Sequence, residues 1–93
     1  MRAVLNGTVI AESDDTKVVD GNHYFPPESI RSELFSPTDR HTVCPWKGTA
    51  SYYTVDVDGQ SYDNVGWTYP TPSDAAADIK DHVAFYSAVR IEN

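Results

Sequence analysis

The segment HTVCPWKGTASYY, residues 41–53, concentrates the side chains best suited to chemistry. It holds the only cysteine of the chain, Cys44, with Lys47 three residues after it and His41 three residues before it. The thiolate is the nucleophilic form of cysteine, and a nearby cation or imidazole favours that form. Cys44 and Lys47 are therefore candidate catalytic residues, with His41 as an alternative partner for the thiol. The structural alternative is a small buried side chain, because free cysteines are among the most buried residues.

Aromatic side chains surround this segment in the sequence and suggest a binding site. Trp46 lies inside it, and GWTYP and HYFPP supply two more rings each. Rings together with one cation suit a planar or anionic small ligand. Most rings of so short a chain must lie in its core, which is the structural alternative for each of them. We predict an aromatic pocket next to the CPWKG motif, residues 44–48, with the ligand-binding residues Tyr24, His41, Trp46, Lys47, Trp67 and Tyr69.

The motif CPWKG is predicted to be a loop that leads into a long strand, TASYYTVDV, residues 49–57. Pro45 favours an extended Cys44, and Gly48 permits a bend or bulge. Alternation along the strand places Tyr53 with the valines at 55 and 57 on one face. Lys47 falls on that same face unless Gly48 breaks the register.

Three Asx–Gly pairs predict tight hairpins, at residues 6–7, 20–21 and 58–59. Near the end of the chain, VAFYSAVRI (residues 83–91) is rich in β-branched and aromatic residues and predicts a closing strand. By contrast, SPTDRHT (residues 36–42) has the composition of a loop. The pattern indicates a mainly β fold with antiparallel strands.

One or two short helices are expected between the strands. TPSD, residues 71–74, resembles a capping box with Pro72 in the first turn, and apolar residues at 75, 76, 79 and 83 follow at helical spacing. PPESIRSELF offers Ile30 and Leu34 four residues apart, enough for a turn or two. Residues 1–93 are predicted to form a single domain.

Charge and composition exclude several classes of protein. The formal net charge is −7 with seven cations in 93 residues, too few to neutralise a row of phosphates or to favour an anionic membrane. We therefore predict no nucleic-acid and no membrane partner. A single cysteine forms neither an internal disulfide nor a paired-cysteine zinc site, and the first residues contain no long apolar stretch. We expect a cytoplasmic protein without a metal or other cofactor.

Five segments, NGTVIAESDDT, GNHYFPPESI, CPWKGTASYY, GWTYP and VAFY, resemble in this order the family called domain of unknown function 427, sometimes labelled nucleotidyltransferase-like. The resemblance implies a small antiparallel β-tent, Mss4-like in shape but without that group's zinc cysteines. The resemblance does not imply any established activity. The most recognisable family residues fall on Tyr24, Phe25, Pro26, Cys44, Pro45, Trp46, Lys47, Gly48, Trp67, Tyr69, Phe85 and Tyr86.

The nucleotidyltransferase label finds little support in the residues. Asp56 and Asp58 offer two carboxylates on one strand face, but they flank a predicted turn, where aspartate is common for conformational reasons. In WKGT the lysine precedes the glycine, so no phosphate-binding loop is present. Three functions remain: a module that binds an unidentified small molecule, which is the preferred interpretation, a cysteine-dependent enzyme using Cys44, and a protein-interaction domain.

Overall fold

Three antiparallel sheets, built from nine short strands, make up most of the chain. The computed structural model describes all residues, 1–93. The strands are β1 (Arg2–Leu5), β2 (Thr8–Glu12), β3 (Lys17–Val19), β4 (Asn22–Tyr24), β5 (Phe35–Cys44), β6 (Gly48–Val57), β7 (Gln60–Thr68), β8 (Val83–Phe85) and β9 (Arg90–Glu92). The mainly β, antiparallel fold predicted from the sequence is confirmed.

The three Asx–Gly pairs form the turns that the sequence predicted. Asn6, Asp20 and Asp58 have φ angles of 49°, 53° and 52°, and the glycine after each is also at positive φ. Positive φ at both central residues matches the twist of an antiparallel hairpin. These turns join β1 to β2, β3 to β4 and β6 to β7.

The four-stranded sheet, in the order β5-β6-β7-β8, is the centre of the fold and has two different faces. Side chains of directly opposed residues lie on the same face, and successive residues alternate. One cross-strand row is Tyr52, Trp67 and Ala84, and the adjacent row on the other face is Tyr53, Gly66 and Phe85.

Each face of this sheet covers its own hydrophobic cluster. The first cluster joins the central sheet to the sheet β2-β1-β9 and includes Leu5, Ile10, Phe25, Val55, Val57 and Phe85. The second joins it to the hairpin β3-β4 and to the segment after β7, and includes Tyr24, Ala50, Tyr52, Tyr69, Ala76, Ile79 and Ala84. The long strand β6 contributes alternate residues to both clusters, as its alternating pattern predicted.

The segment SPTDRHT is a strand, and the prediction of a loop was wrong. Residues 36–42 lie within β5, which pairs with β6 on one side only. An edge strand tolerates Pro37 and a largely polar sequence, because its outer backbone groups need no partner strand. The register of the pairing between β5 and β6 shifts between Pro37 and His41.

The closing segment is two strands, where the sequence predicted one. β8 pairs with β7 in the central sheet, whereas β9 pairs with β1 in the three-stranded sheet. Between them the backbone turns, with the N–H of Val89 donating to the carbonyl of Tyr86 at 3.0 Å. Because of this turn, apolar residues that are close together in the sequence belong to two different sheets.

All the helices are short 3-10 turns: Pro27–Ser29, Ser32–Leu34 and Asp74–Ile79. The first two match the turn or two expected there. The third is interrupted at Ala76, and Val83 belongs to β8, so the longer regular helix predicted after Thr71 does not form. Ser73 precedes this helix, makes no side-chain cap hydrogen bond, and donates its hydroxyl proton to the carbonyl of Trp46. None of the helices has the length and apolar character that crossing a membrane requires.

Candidate ligand-binding site

The motif CPWKG is the connection between β5 and β6. Cys44 ends β5 opposite Gly48, which begins β6 at a φ of +114°. A Cβ at Gly48 would lie 3.3 Å from the carbonyl oxygen of Thr71, so the glycine permits both the turn and a close approach of the following loop. That loop is held by the N–H of Ser73, which donates to the carbonyl of Lys47 at 2.9 Å.

Lys47 is nearly buried and paired. Its side chain is 8% exposed, and its Nζ donates to Oδ2 of Asp20 at 2.5 Å, which ties the motif to the β3-β4 turn. The ammonium also lies 5.0 Å from the ring centre of Trp46 and 5.7 Å from that of Tyr69. Burial lowers the pKa of Lys47, but the hydrogen bond to Asp20 and the nearby Tyr24 and Tyr69 outweigh it and raise the pKa above its ordinary value. The lysine is therefore a charged group with an internal counterion.

Lys47 lies on the side opposite to the one that uninterrupted alternation gives. It packs with Tyr69, a member of the second cluster, whereas Tyr53 packs against the first. The left-handed backbone at Gly48 breaks the register, as the sequence allowed. A catalytic or ligand-binding role for Lys47 stays a prediction.

Cys44 is partly exposed and packs against the second cluster. Its thiol has a pKa lowered from the ordinary 9.0, chiefly because it accepts a hydrogen bond from the backbone N–H of Trp46, with a smaller contribution from the charge of Lys47. The structure does not bring His41 to this thiol. Side chains alternate along β5, and Nδ1 of His41 lies 3.3 Å from the carbonyl oxygen of Ala50 and 3.4 Å from the Ser51 hydroxyl.

Three of the predicted ligand-binding rings do converge. Tyr24 meets Trp67 edge-on, with ring centres 6.3 Å apart, and Tyr69 at 6.5 Å. The indole N–H of Trp67 donates to the Tyr24 hydroxyl at 3.1 Å. Tyr24 is fully buried and Tyr69 nearly so, whereas Trp67 is half-buried. Of the three, Trp67 is the ring that solvent reaches. Trp46, in the motif turn, is 43% exposed.

A second group of side chains extends from Trp67 toward β5, and the sequence did not single it out as a site. The Tyr86 ring is 46% exposed, lies 4.6 Å from Trp67, and stacks on Tyr52 with an interplanar angle of 9°. The Tyr52 hydroxyl lies 2.9 Å from that of Thr42 and 3.2 Å from that of Tyr86. Arg40 holds its guanidinium 5.0 Å from the Tyr52 ring centre. We call these five residues the aromatic surface.

The two tyrosine hydroxyls of the aromatic surface differ in acidity. Burial raises the pKa of Tyr52, but hydrogen bonds with Thr42 and Tyr86 and the charge of Arg40 outweigh it, so the pKa falls below its ordinary value. The pKa of Tyr86 is raised, first by its hydrogen bond to Tyr52 and then by burial. Tyr52 is therefore the more acidic of the pair, and Tyr86 keeps its proton to a higher pH.

The aromatic surface was missed because its β5 members were assigned to a loop. In a strand, residues 40, 42 and 44 share one face, which brings Arg40 and Thr42 beside Cys44. Identification of β5 as a strand, with alternate residues on one face, would have revealed this group.

The aromatic pocket expected beside the motif is not formed. Cys44, Lys47 and Trp67 do not line a common cavity. Lys47 reaches toward Asp20, the Tyr69 ring beside it is buried, and the Trp46 ring is partly exposed. The aromatic rings that solvent reaches, such as Trp67 and Tyr86, form an open surface and not an enclosed cavity.

The acidic residues considered for metal binding have structural roles. Asp56 accepts a hydrogen bond from the Ser61 hydroxyl across the hairpin, and Asp58 adopts the left-handed conformation in its turn. No group of three or more His, Cys, Asp or Glu side chains is arranged to hold a metal ion.

Comparison with known proteins gives the family of the chain. A search of curated proteins found no match. The family model described as domain of unknown function (DUF427) matches residues 1–93, the whole chain. The resemblance inferred from the motifs is therefore confirmed, and the chain belongs to this family.

Proposed function

We propose that the chain is a binding module whose ligand is a small planar molecule lying on the aromatic surface, beside the CPWKG motif. One observation carries the proposal: the exposed Tyr86 ring is stacked on Tyr52 and held 4.6 Å from Trp67. Rings fixed by their neighbours offer contact area at little entropic cost, because their side chains are already ordered. A planar compound stacking on Tyr86 covers a ring that otherwise faces water.

The CPWKG motif holds residues that pack beneath the aromatic surface. Cys44 packs against the second cluster, and the turn that follows fixes Lys47 and, through Asp20, the hairpin carrying Tyr24. Tyr24 in turn accepts the hydrogen bond that orients the Trp67 indole. The residues most recognisable in the family thus include those that hold Trp67 in place, which is what preorganisation of a binding surface needs.

The test is a titration of the isotope-labelled protein with a panel of planar aromatic compounds, both neutral and anionic, followed by NMR. We expect saturable shifts of the Trp67 indole N–H. Tyr86→Leu should weaken binding about fivefold, since aromatic pairs contribute about 1 kcal/mol beyond area burial. Tyr62→Leu is the matched control, because Tyr62 packs against the first cluster on the other side. Absence of saturable shifts with every compound, or equal losses in the two variants, would refute the proposal.

A second candidate function, a reactive thiol at Cys44, is favoured by the backbone N–H of Trp46 at the sulfur. The rate of alkylation by iodoacetamide should then rise with pH around a midpoint below 9.0, the ordinary thiol pKa. Lys47→Met should raise that midpoint, whereas His41→Gln should leave it unchanged, because His41 lies away from the thiol. A midpoint at or above the ordinary value eliminates this candidate.

The free cysteine also supports assignment of the protein to the cytoplasm. A lone thiol has no disulfide partner within the chain, and reducing compartments are where such thiols persist. Fractionation of cells producing the tagged protein tests this assignment, and recovery in an oxidising compartment would contradict it.

A further inference from the structure

We infer that the aromatic surface is selective for a planar ring bearing a single carboxylate, which Arg40 receives while the ring stacks on Tyr86. The inference rests on the proposed function and adds the chemical class of the ligand. It depends on three features: a cation without a partner, an unused hydroxyl proton, and the overall charge of the chain.

Arg40 is a cation without an ion-pair partner. The four ion pairs of the structure use Arg2, Arg31, Lys47 and Arg90, and none involves Arg40. Its side chain is exposed, yet its guanidinium lies over the Tyr52 ring. An arginine held against an aromatic face keeps its N–H donors free at the edge of the plane, where they can meet a carboxylate with two parallel hydrogen bonds.

The hydroxyl groups beside Arg40 leave a donor unused. Thr42, Tyr52 and Tyr86 form a chain of three hydroxyls joined by two hydrogen bonds. Each hydroxyl has one proton, so the chain has three protons for two internal bonds. Either oxygen of each bond can donate, so when the bonds run from Thr42 to Tyr52 to Tyr86 the third proton lies at the exposed Tyr86 end and can meet an acceptor from outside. The raised pKa of Tyr86 keeps that hydroxyl protonated at neutral pH.

The charges favour a monoanion over a dianion. Arg40 is the one cation of the aromatic surface, and the nearby Lys47 is neutralised by Asp20. The chain as a whole has a formal charge of −7, which repels a dianion more than a monoanion. A guanidinium fork and one hydroxyl match the two oxygens of a carboxylate, and the adjoining rings match an attached aromatic ring.

The test compares 2-naphthoate with its neutral isostere 2-naphthamide and with inorganic phosphate, each titrated into the protein and followed at the Trp67 indole N–H. We expect 2-naphthoate to bind at least about tenfold more tightly than the amide, equivalent to about 1.4 kcal/mol. Arg40→Gln should abolish this preference. Arg31→Gln, which makes the same charge change at an exposed arginine away from the surface, should preserve it. Thermal unfolding of both variants checks that they fold.

The outcomes separate this inference from the proposed function. Equal affinity of naphthoate and naphthamide at the Trp67 site would overturn the carboxylate preference and leave the binding module in place. Displacement of naphthoate by phosphate at similar concentration would overturn the preference for a monoanion. Loss of the preference in Arg31→Gln as well would show that net charge, and not Arg40, causes it. Failure of both naphthyl compounds and of the wider panel to bind would refute the proposed function itself.

Discussion

Replacing Asp20 should destabilise the protein more than replacing Lys47, although the two form one ion pair. Lys47 is 8% exposed, whereas Asp20 is 53% exposed. Removal of the carboxylate leaves a buried ammonium without a counterion, but removal of the lysine leaves a carboxylate that water can solvate. Asp20→Asn is a suitable probe because asparagine keeps the positive φ of the turn and an acceptor oxygen, and removes only the charge.

The magnitude follows from the burial of each partner. Loss of one partner of a fully buried pair costs about 3–5 kcal/mol, and a hydrogen bond to a charged group contributes about 1.5–3 kcal/mol. Because Asp20 is half exposed, we expect Asp20→Asn to cost about 1–2 kcal/mol. Lys47→Met keeps the length of the side chain and its contacts with the rings, so its cost should stay below about 1 kcal/mol.

Urea unfolding followed by tryptophan fluorescence measures both costs. A loss of 1 kcal/mol corresponds to a Tm lower by about 4–8 °C in a domain of this size. In the Lys47→Met background, Asp20→Asn should have almost no effect, because the buried charge is gone. Glu33→Gln is the control, since it breaks an exposed pair and should cost less than about 1 kcal/mol. A larger loss for Lys47→Met than for Asp20→Asn would refute the reasoning.

The Lys47–Asp20 ion pair also predicts how the stability of the protein changes at high pH. The folded-state pKa of Lys47 is raised above 10.5, its ordinary value. A group of this kind contributes stability that is fully present below the unfolded-state pKa and is lost as the pH rises through the folded-state pKa. The contribution of Lys47 should therefore be constant through neutral pH and decline only above about pH 10.5.

Three further predictions concern single positions. Thr68→Val should raise the free energy of unfolding by about 1 kcal/mol in urea titrations, because the Thr68 hydroxyl is buried without a hydrogen-bond partner, and a destabilised variant would contradict this. Gly48→Ala should lower the free energy of unfolding by about 1–3 kcal/mol, because the backbone has a φ of +114° and the new Cβ would lie 3.3 Å from the carbonyl oxygen of Thr71. An unchanged urea midpoint would exclude this strain. Tyr86→Phe should raise the pKa of Tyr52 in an ultraviolet titration by removing a hydrogen bond to its oxygen, and an unchanged Tyr52 titration would argue against that bond.

Local patterns were sufficient for the hairpins and for strand β6. An Asx–Gly pair needs only its own backbone preferences to form a turn, so Asp20 and Asp58 could be placed without knowledge of the rest of the chain. The CPWKG motif was equally recognisable as a turn before a strand. These features depend on residues close together in the sequence.

The errors came where distant residues decided the outcome. Residues 36–42 form an edge strand because β6 offers its backbone to them, and no local preference reveals that partner. The hydroxyl of Ser73, at the start of the third 3-10 helix, donates to the carbonyl of Trp46, 27 residues away, and makes no cap hydrogen bond. In both cases a contact made by folding overrides the local preference.

Local sequence patterns were enough to predict the antiparallel β character, the positions of three turns and the family. The use of the polar groups, by contrast, depends on tertiary contacts. The tertiary structure pairs Lys47 with Asp20, which lies 27 residues away in the chain, and it leaves Arg40 unpaired over Tyr52. Which charge is neutralised and which remains available depends on the packing of separate hairpins, and such long-range contacts are not written in the spacing of nearby residues.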